Sequence, residues 1–423
     1  MYSLIYQLRM VSFESATKIV SFTRVYSKSL QTFPKCSSIK FQLNKLSSSS
    51  DKFQICKYTF FRDYRVTTNE DKKSVSKAVS DAEKIVGYPT SFLSLRCLLS
   101  DELSNIALHM RKLVGTRHPL LKTARGMVFD GKNNLQLRGL LVMLISKAAG
   151  PNPQAPYTEQ EMISGVYPSQ RSLAEITEVI HTASLIHKGV VNLADILPED
   201  GPLSDMEFGN KMAVLSGDYL LSSACIGLAK LGNPLVIEQV ASSIGDMMAA
   251  EFTPFTDAGG KSTVPESCNS FSDWLKQTHL SFGSLLARSC QSAMTLAGHS
   301  EDLGKMAFAF GENTTYAHQL SKDIAAITNQ DENPNLRPTS APVVLYREMA
   351  SLEEINKMYT FWQEEKINYK KILSALVDSG AVDKCKQLCL QYRNKAISSL
   401  DCYTESDAKV ALINMVTAVS DVR

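Results

Sequence analysis

Ser172-Leu-Ala-Glu-Ile-Thr-Glu-Val-Ile-His-Thr-Ala-Ser-Leu-Ile-His-Lys-Gly-Val-Val191 spaces its apolar residues as a helix does, with none of the alternation of a strand. From about Asp81 onward nearly every segment reads the same way. Breaks rich in Pro, Gly, Asn or Asp fall at Gly150 to Pro156, Leu197 to Ser204, Thr253 to Asn269 and Asn329 to Pro342. Between them lie Leu135 to Ala149, Ser172 to Val191, Glu207 to Leu231, Phe271 to Ala297 and Leu303 to Ile327, each long enough for a helix to cross a domain. The expected fold class is all-α, a bundle of long helices around a central cavity. A solenoid is disfavoured because no period of roughly 30 to 45 residues recurs. Ser172-Leu-Ala-Glu175, Ser204-Asp-Met-Glu207 and Ser351-Leu-Glu-Glu354 have the capping-box form and are expected to mark helix starts.

The chain has 423 residues with few compositional breaks after the first ~70, which favours one large domain. With 45 Lys and Arg against 43 Asp and Glu, the net charge of +2 gives no global field that would point to nucleic acid. The nine cysteines include no CxxC pair, so neither a disulfide framework nor a zinc site is expected. Cys385 and Cys389 would lie one turn apart on a helix as buried free thiols. The longest uninterrupted apolar run, Leu140 to Ile145, falls far short of the ~20 residues of a membrane-spanning helix, so no such helix is expected.

Met1 to Ser50 differs from the rest. It holds seven basic residues and one acidic residue, Glu14, among many serines, which is the composition of a mitochondrial transit peptide. Residues 1–70 are read as that peptide and a flexible N-terminal segment, and residues 71–423 as one all-helical domain of a protein of the mitochondrial matrix.

Two helical segments lead into unusual sequences. His181-Thr-Ala-Ser-Leu-Ile-His187 precedes Lys188-Gly189-Val190-Val191-Asn192, and Gln319-Leu-Ser321 precedes Lys322-Asp323-Ile324-Ala325-Ala326. Carboxylates at i, i+1 and i+4 of a helix can together grip a hard cation. Two such triplets on opposed helices could hold Mg²⁺ around a diphosphate and neutralise the charge that builds on it as it departs. Here those positions hold Lys188, Gly189 and Asn192, and Lys322, Asp323 and Ala326, a net charge of +1 where six aspartates would give −6.

Around these sites the chain resembles the trans-prenyl diphosphate synthases. The resemblance is carried by Glu83-Lys-Ile-Val-Gly-Tyr-Pro-Thr-Ser-Phe92, Ser94 to Ile106, His118-Pro-Leu-Leu121, Leu135-Gln-Leu-Arg-Gly139, Arg171 to Ile176, Phe208-Gly-Asn-Lys-Met-Ala-Val-Leu-Ser-Gly-Asp218 and Ser340-Ala-Pro-Val-Val344. It implies that Arg138 and His181 match residues that help bind isopentenyl diphosphate, and that Gln319 matches one near the allylic substrate. These three would form a vestigial substrate pocket; otherwise Arg138 pairs with a carboxylate and His181 is a hydrogen-bonded core histidine. The family's Arg-Arg pair falls on Pro198-Glu199-Asp200, which would repel a diphosphate, and its Lys-Thr pair on Ser281-Phe282. Two readings of Lys188 and Lys322 stay open: they approach one another as fixed cations in place of the metals, binding a diphosphate or stabilising the fold around nearby acids, or each points to solvent.

The resemblance further implies a silent subunit, with no catalytic or metal-binding residue and no cofactor of its own. It would act in a heteromeric trans-polyprenyl diphosphate synthase making the isoprenoid tail of ubiquinone, with Mg²⁺ on the catalytic partner subunit. Isopentenyl and allylic diphosphates would be met through the complex, nucleic acid would not be bound, and contact with the inner membrane would be peripheral. A self-sufficient synthase with a redesigned diphosphate site and a non-enzymatic isoprenoid-binding scaffold are the alternatives.

Overall fold

In the computed structural model the described residues are 69–87, 113–123 apart from 114 and 122, 137–152, 161–252, 270–328, 336–363 and 367–422. The chain divides into a unit Met1–Ile55, wholly outside the described residues, and a unit Cys56–Arg423. The expected transit peptide and the breaks at Thr253 to Asn269 and at 329–335 lie outside the described residues, as does all of Ser94 to Ile106.

The described elements are helical, and the sole β pairing among them is an isolated bridge between Ile163 and Val166. In chain order they are α1 (Asn69–Val86), α2 (Leu137–Ala149), α3 (Pro168–His187), α4 (Leu203–Leu231), α5 (Pro234–Ala250), α6 (Phe271–Thr278), α7 (Ser284–Leu296), α8 (Glu301–Thr328), α9 (Ala341–Met349), α10 (Leu352–Gln363), α11 (Tyr369–Asp378), α12 (Ala381–Ser398) and α13 (Asp407–Val419).

Helix α2 is apolar on every side and buries nine of its 13 residues, so it can only sit in the interior. It packs against α1, α3, α7 and α13, and α3 packs in turn against α4 and α7. The main core collects Leu140 to Ile145, Leu173, Ile180, Leu220, Leu285 and Phe310. A second core joins the lower half of α8 to α9, α11 and α12 through Leu320, Ile324, Val343, Ile372, Cys385 and Cys389. Both cysteines are fully buried free thiols. Helices α7 and α8 touch backbone to backbone: a Cβ on Gly311 would lie 2.8 Å from Ala287 Cα. A shallow cavity of about 140 Å³ lies between α1 and α13, lined by Ala78, Asp81, Ile85, Asp407 and Val410 among others, away from the altered motifs.

Several local expectations need correction. Helix α3 starts at Pro168, whose fixed φ suits the first turn, and Gln170 Oε1 accepts the Tyr167 amide at 3.1 Å, so Ser172 lies inside the helix. Ser204 lies in the first turn of α4 and bonds Asp205 instead of capping. Ser351 and Glu354 do form a capping box ahead of α10. The segment expected as one helix from Phe271 to Ala297 is α6 and α7 joined by a π-turn, His279–Gly283. Helix α4 is, by length and composition, apolar enough to cross a membrane, with 39% of its most apolar stretch buried in the bundle.

Candidate functional site

The first altered motif does not lie on a helix face. Helix α3 ends at His187, Lys188 is its C-cap, and the Gly189 amide turns back to Ile186 O at 2.9 Å. Asn192 caps a short 3₁₀ turn, Leu193–Asp195, its Oδ1 accepting the Ala194 amide at 3.2 Å. The i, i+1, i+4 geometry expected of positions 188, 189 and 192 is therefore lost. A hydrogen-bonded network fixes the turn. Asn210 of α4 accepts the Val191 amide at 2.8 Å and donates to Val191 O at 2.7 Å, and His118 Nε2 lies 3.2 Å from the same Asn210 Oδ1. His118 Nδ1 accepts the Leu120 amide at 3.1 Å, so Nε2 carries the proton and donates to Asn210.

Two glycines of the Phe208 to Asp218 stretch make room for histidines. A Cβ on Gly209 would meet the His118 ring at 2.4 Å, and one on Gly217 would collide with the ring of His187. His187 Nε2 lies 3.2 Å from Asp218 Oδ1 and 3.3 Å from Val214 O, joining α3 to α4.

Lys188 does not point to solvent; it acts as a fixed cation beside a nearby acid. Its ammonium lies 3.4 Å from Glu251 Oε1 and 5.3 Å from the centre of the Phe282 ring. Glu251 is the C-cap of α5, and Phe282 projects from the π-turn between α6 and α7. Phe282, which the sequence resemblance set at the family's Lys-Thr pair, thus lies against Lys188, which it set at the first carboxylate. A π-turn re-aims side chains by inserting one residue into the helical ladder. His279, in the same turn, places Nδ1 2.9 Å from Glu312 Oε1 of α8.

The second motif does lie on a helix, α8. Asp323, its one remaining carboxylate, is buried, and its Oδ2 accepts the Ala341 amide at 2.7 Å in the first turn of α9. It serves as a helix cap, favoured by the positive end of the α9 dipole. Gln319 is buried, while Lys322 and Ala326 are half-buried. His318, on the same helix, bonds Val419 O at 3.0 Å; burial, with Lys322 nearby, pushes it down to about 3.

Arg138 and His181 do meet. Arg138 NH1 donates to His181 Nε2 at 2.9 Å, which requires the ring to be neutral with its proton on Nδ1. Burial holds His181 well below its usual range, and the positive charges of Arg138, Lys188 and Lys322 push the same way. Among the described residues no carboxylate pairs with the guanidinium, so the alternative of an Arg138 ion pair is not realised, while His181 is a buried, hydrogen-bonded histidine. The nearby carboxylate, Glu178, lies one turn before His181 and is turned to the backbone. Its Oε1 accepts the Gly139 amide at 2.6 Å in the first turn of α2, and Oε2 is buried without a partner. Burial raises Glu178 to about 7, against the lowering effect of those amides and of Arg138.

Asp200 does not project repulsion into the site, as the sequence implied. It is fully buried, 3.6 Å from Arg117, and its Oδ2 accepts the Leu197 amide at 3.0 Å. Among the described residues no three His, Cys, Asp or Glu side chains are placed to hold a metal ion. The donor set at the two motifs is one carboxylate already committed to an amide, which does not fit a Mg²⁺ cage. Sequence reasoning missed Glu178 and Glu251; nothing in the chain near Glu251 signals its partner, whereas Glu178 shares a helical face with His181 at i+3.

Comparison with known proteins bears on this geometry. Residues 119–337 match the family model of polyprenyl synthetase. The chain is 46% identical over 349 residues to the mouse protein "All trans-polyprenyl-diphosphate synthase PDSS2", covering 82% of this chain and 87% of that one. It is 28% identical to "Probable hexaprenyl pyrophosphate synthase, mitochondrial" of Neurospora crassa, covering 83% and 85%. In fold it is similar to the geranylgeranyl pyrophosphate synthase of Corynebacterium glutamicum, with a TM-score of 0.57 over 83% of this chain and 97% of that one, at 18% identity. With the bundle, the matched residues and these likenesses together, the chain belongs to the polyprenyl synthetase family.

Proposed function

We propose that this chain is the non-catalytic, stabilising subunit of a heteromeric trans-polyprenyl diphosphate synthase of the decaprenyl type, acting in ubiquinone biosynthesis in the mitochondrial matrix. The observation that carries this reading is the fate of the two metal motifs: Lys188 is engaged by Glu251 and Phe282, and Asp323 is spent capping α9. Ionising an allylic diphosphate requires cations to neutralise the departing group. A chain with one committed carboxylate cannot assemble them, so Mg²⁺ belongs to the catalytic partner. The name of the mouse relative supports the synthase role, and the name of the Neurospora relative supports the mitochondrion.

A partner surface is available on α4. Only 39% of its most apolar 18 residues is buried, and Leu203, Leu215 and Ile226 are exposed along it, with Leu235 following on α5. Such a stripe suits the packing of another long helix.

The test is prenyl elongation with Mg²⁺ by this chain alone, by a catalytic polyprenyl synthase subunit alone, and by the two co-expressed. Activity that requires both supports the proposal, and product length then reports the quinone tail. Turnover by this chain alone would establish the self-sufficient synthase instead. Failure to form a complex would favour the isoprenoid-binding scaffold.

A further inference from the structure

The contact between Lys188 and Glu251 has a role of its own. Lys188 and Glu251 are C-caps of helices, α3 and α5, that are not among the principal packing pairs of the bundle, so their charged groups span a gap between two helix ends. The pair is partly open to water, with side chains 26% and 39% exposed. An ion pair this exposed contributes little net free energy, so it is exchangeable and makes a poor permanent strut. Phe282 supports the ammonium from another side at 5.3 Å, a contact that persists whichever anion the lysine faces. Further in lies Arg138, which has a neutral histidine for its hydrogen-bond partner and no carboxylate within ion-pair reach among the described residues.

We propose that Glu251 is an internal ligand for Lys188, an autoinhibitory contact in which the chain's own carboxylate occupies the lysine that replaced the first metal-motif carboxylate and keeps phosphate-type anions from it. The surroundings are cationic: Arg138 donates to His181 at 2.9 Å, and Lys188 and Lys322 lie near enough to act electrostatically on the same buried ring. Glu251 is thus the lone acidic group the geometry brings to the Lys188 ammonium among the described residues. The proposal rests on the reading that the first motif is no longer a metal site.

The test uses the full-length chain and inorganic pyrophosphate, titrated calorimetrically in EDTA and again with Mg²⁺. Glu251→Gln removes the competing charge at an exposed position with little change of shape. It is expected to tighten pyrophosphate binding in EDTA by about fivefold to tenfold, corresponding to a net pair energy of about 1 kcal/mol. Lys188→Met in the same background is expected to abolish that gain. Glu251→Ala, folded by circular dichroism, should repeat the result, and labelling of Lys188 by an amine-reactive ester should rise in both Glu251 variants. EDTA-resistant binding that is unchanged by Glu251→Gln, or a gain that survives Lys188→Met, overturns the proposal alone. Binding by the wild type that requires Mg²⁺ overturns the reading beneath it as well.

Discussion

Asp323 is where a structural and a chemical role give opposite expectations. Its Oδ2 accepts the Ala341 amide at 2.7 Å, and the side chain is 7% exposed. Asp323→Ala would leave the Ala341 N–H without its acceptor in a buried place, at a cost of about 1–3 kcal/mol, and would remove a cap worth about 0.5–2 kcal/mol, two descriptions of largely the same loss. A total of about 2–3 kcal/mol should lower the melting temperature by roughly 3–4 °C for a domain of this size. Asp323→Asn keeps an oxygen at the same place and loses only the charge assistance, so it should cost about 1 kcal/mol or less. Thermal unfolding of the purified chain gives the stabilities, and prenyl elongation by the complex co-expressed with a catalytic subunit gives the activities. The Asn variant should retain elongation within about twofold, and the Ala variant should lose it only as far as folded subunit is lost. An Asn variant that melts within ~2 °C of wild type yet elongates about 100-fold more slowly would refute the reasoning, because a carboxylate lost without structural cost would then have been doing chemistry.

Gly311→Ala gains helix propensity but drives a methyl to 2.8 Å from the Ala287 backbone, so it should destabilise by about 1–2 kcal/mol; Gly245→Ala on α5, with nothing within 4 Å, should stabilise by about 0.5–1 kcal/mol, as urea denaturation of the two variants will measure. Gly217→Ala should displace the His187 ring and break its approach to Asp218, costing about 1–3 kcal/mol and shifting the His187 ring resonances in NMR spectra. Glu178 is raised from 4.5 to about 7 in the fold, so between those pH values the native chain holds a proton the unfolded chain has released, and stability falls as pH rises through the window. Glu178→Gln should therefore gain on wild type by about 3 kcal/mol from pH 4.5 to 8, read from denaturant unfolding at each pH; a difference that does not vary with pH would exclude the mechanism. His181, held low, works in the opposite sense, with stability lost as pH falls below 6.5.

The long helices were legible because burial imposes a period of 3.6 residues on any helix that packs on one side. Leu135 to Ala149 was expected and Leu137–Ala149 is formed; Leu303 to Ile327 was expected and Glu301–Thr328 is formed. Ends were less legible, because a Ser-x-x-Glu pattern fits an N-cap and an interior turn equally well, and Pro168 decides α3 four residues before Ser172. The π-turn at His279–Gly283 was not legible, because it carries no Pro and helical spacing resumes directly after it. At the site, the replaced carboxylates were readable as residue types, but what each replacement touches was not. Glu251 and Phe282 reach Lys188 from different helices, and Asp200 turns to Arg117 across a loop.

Charge alone does not separate these motifs from a working metal cage. Were position 188 an aspartate, its shorter side chain would leave Glu251 without its cation and bring a like charge toward it. Positions 189 and 192 would remain in a turn and a 3₁₀ cap beyond the end of α3, unable to present oxygens on one helix face with 188. Asp323 would still be held by the Ala341 amide, and moving it would uncap α9. The residues at these positions are held by the packing around them: Phe282 is placed against Lys188, Asp323 caps α9, and the turn after α3 is tied to α4 through Asn210. These contacts tie α3 to α4 and α5, and α8 to α9, at the two motif positions, so under the proposed reading the same positions serve the stability of the bundle.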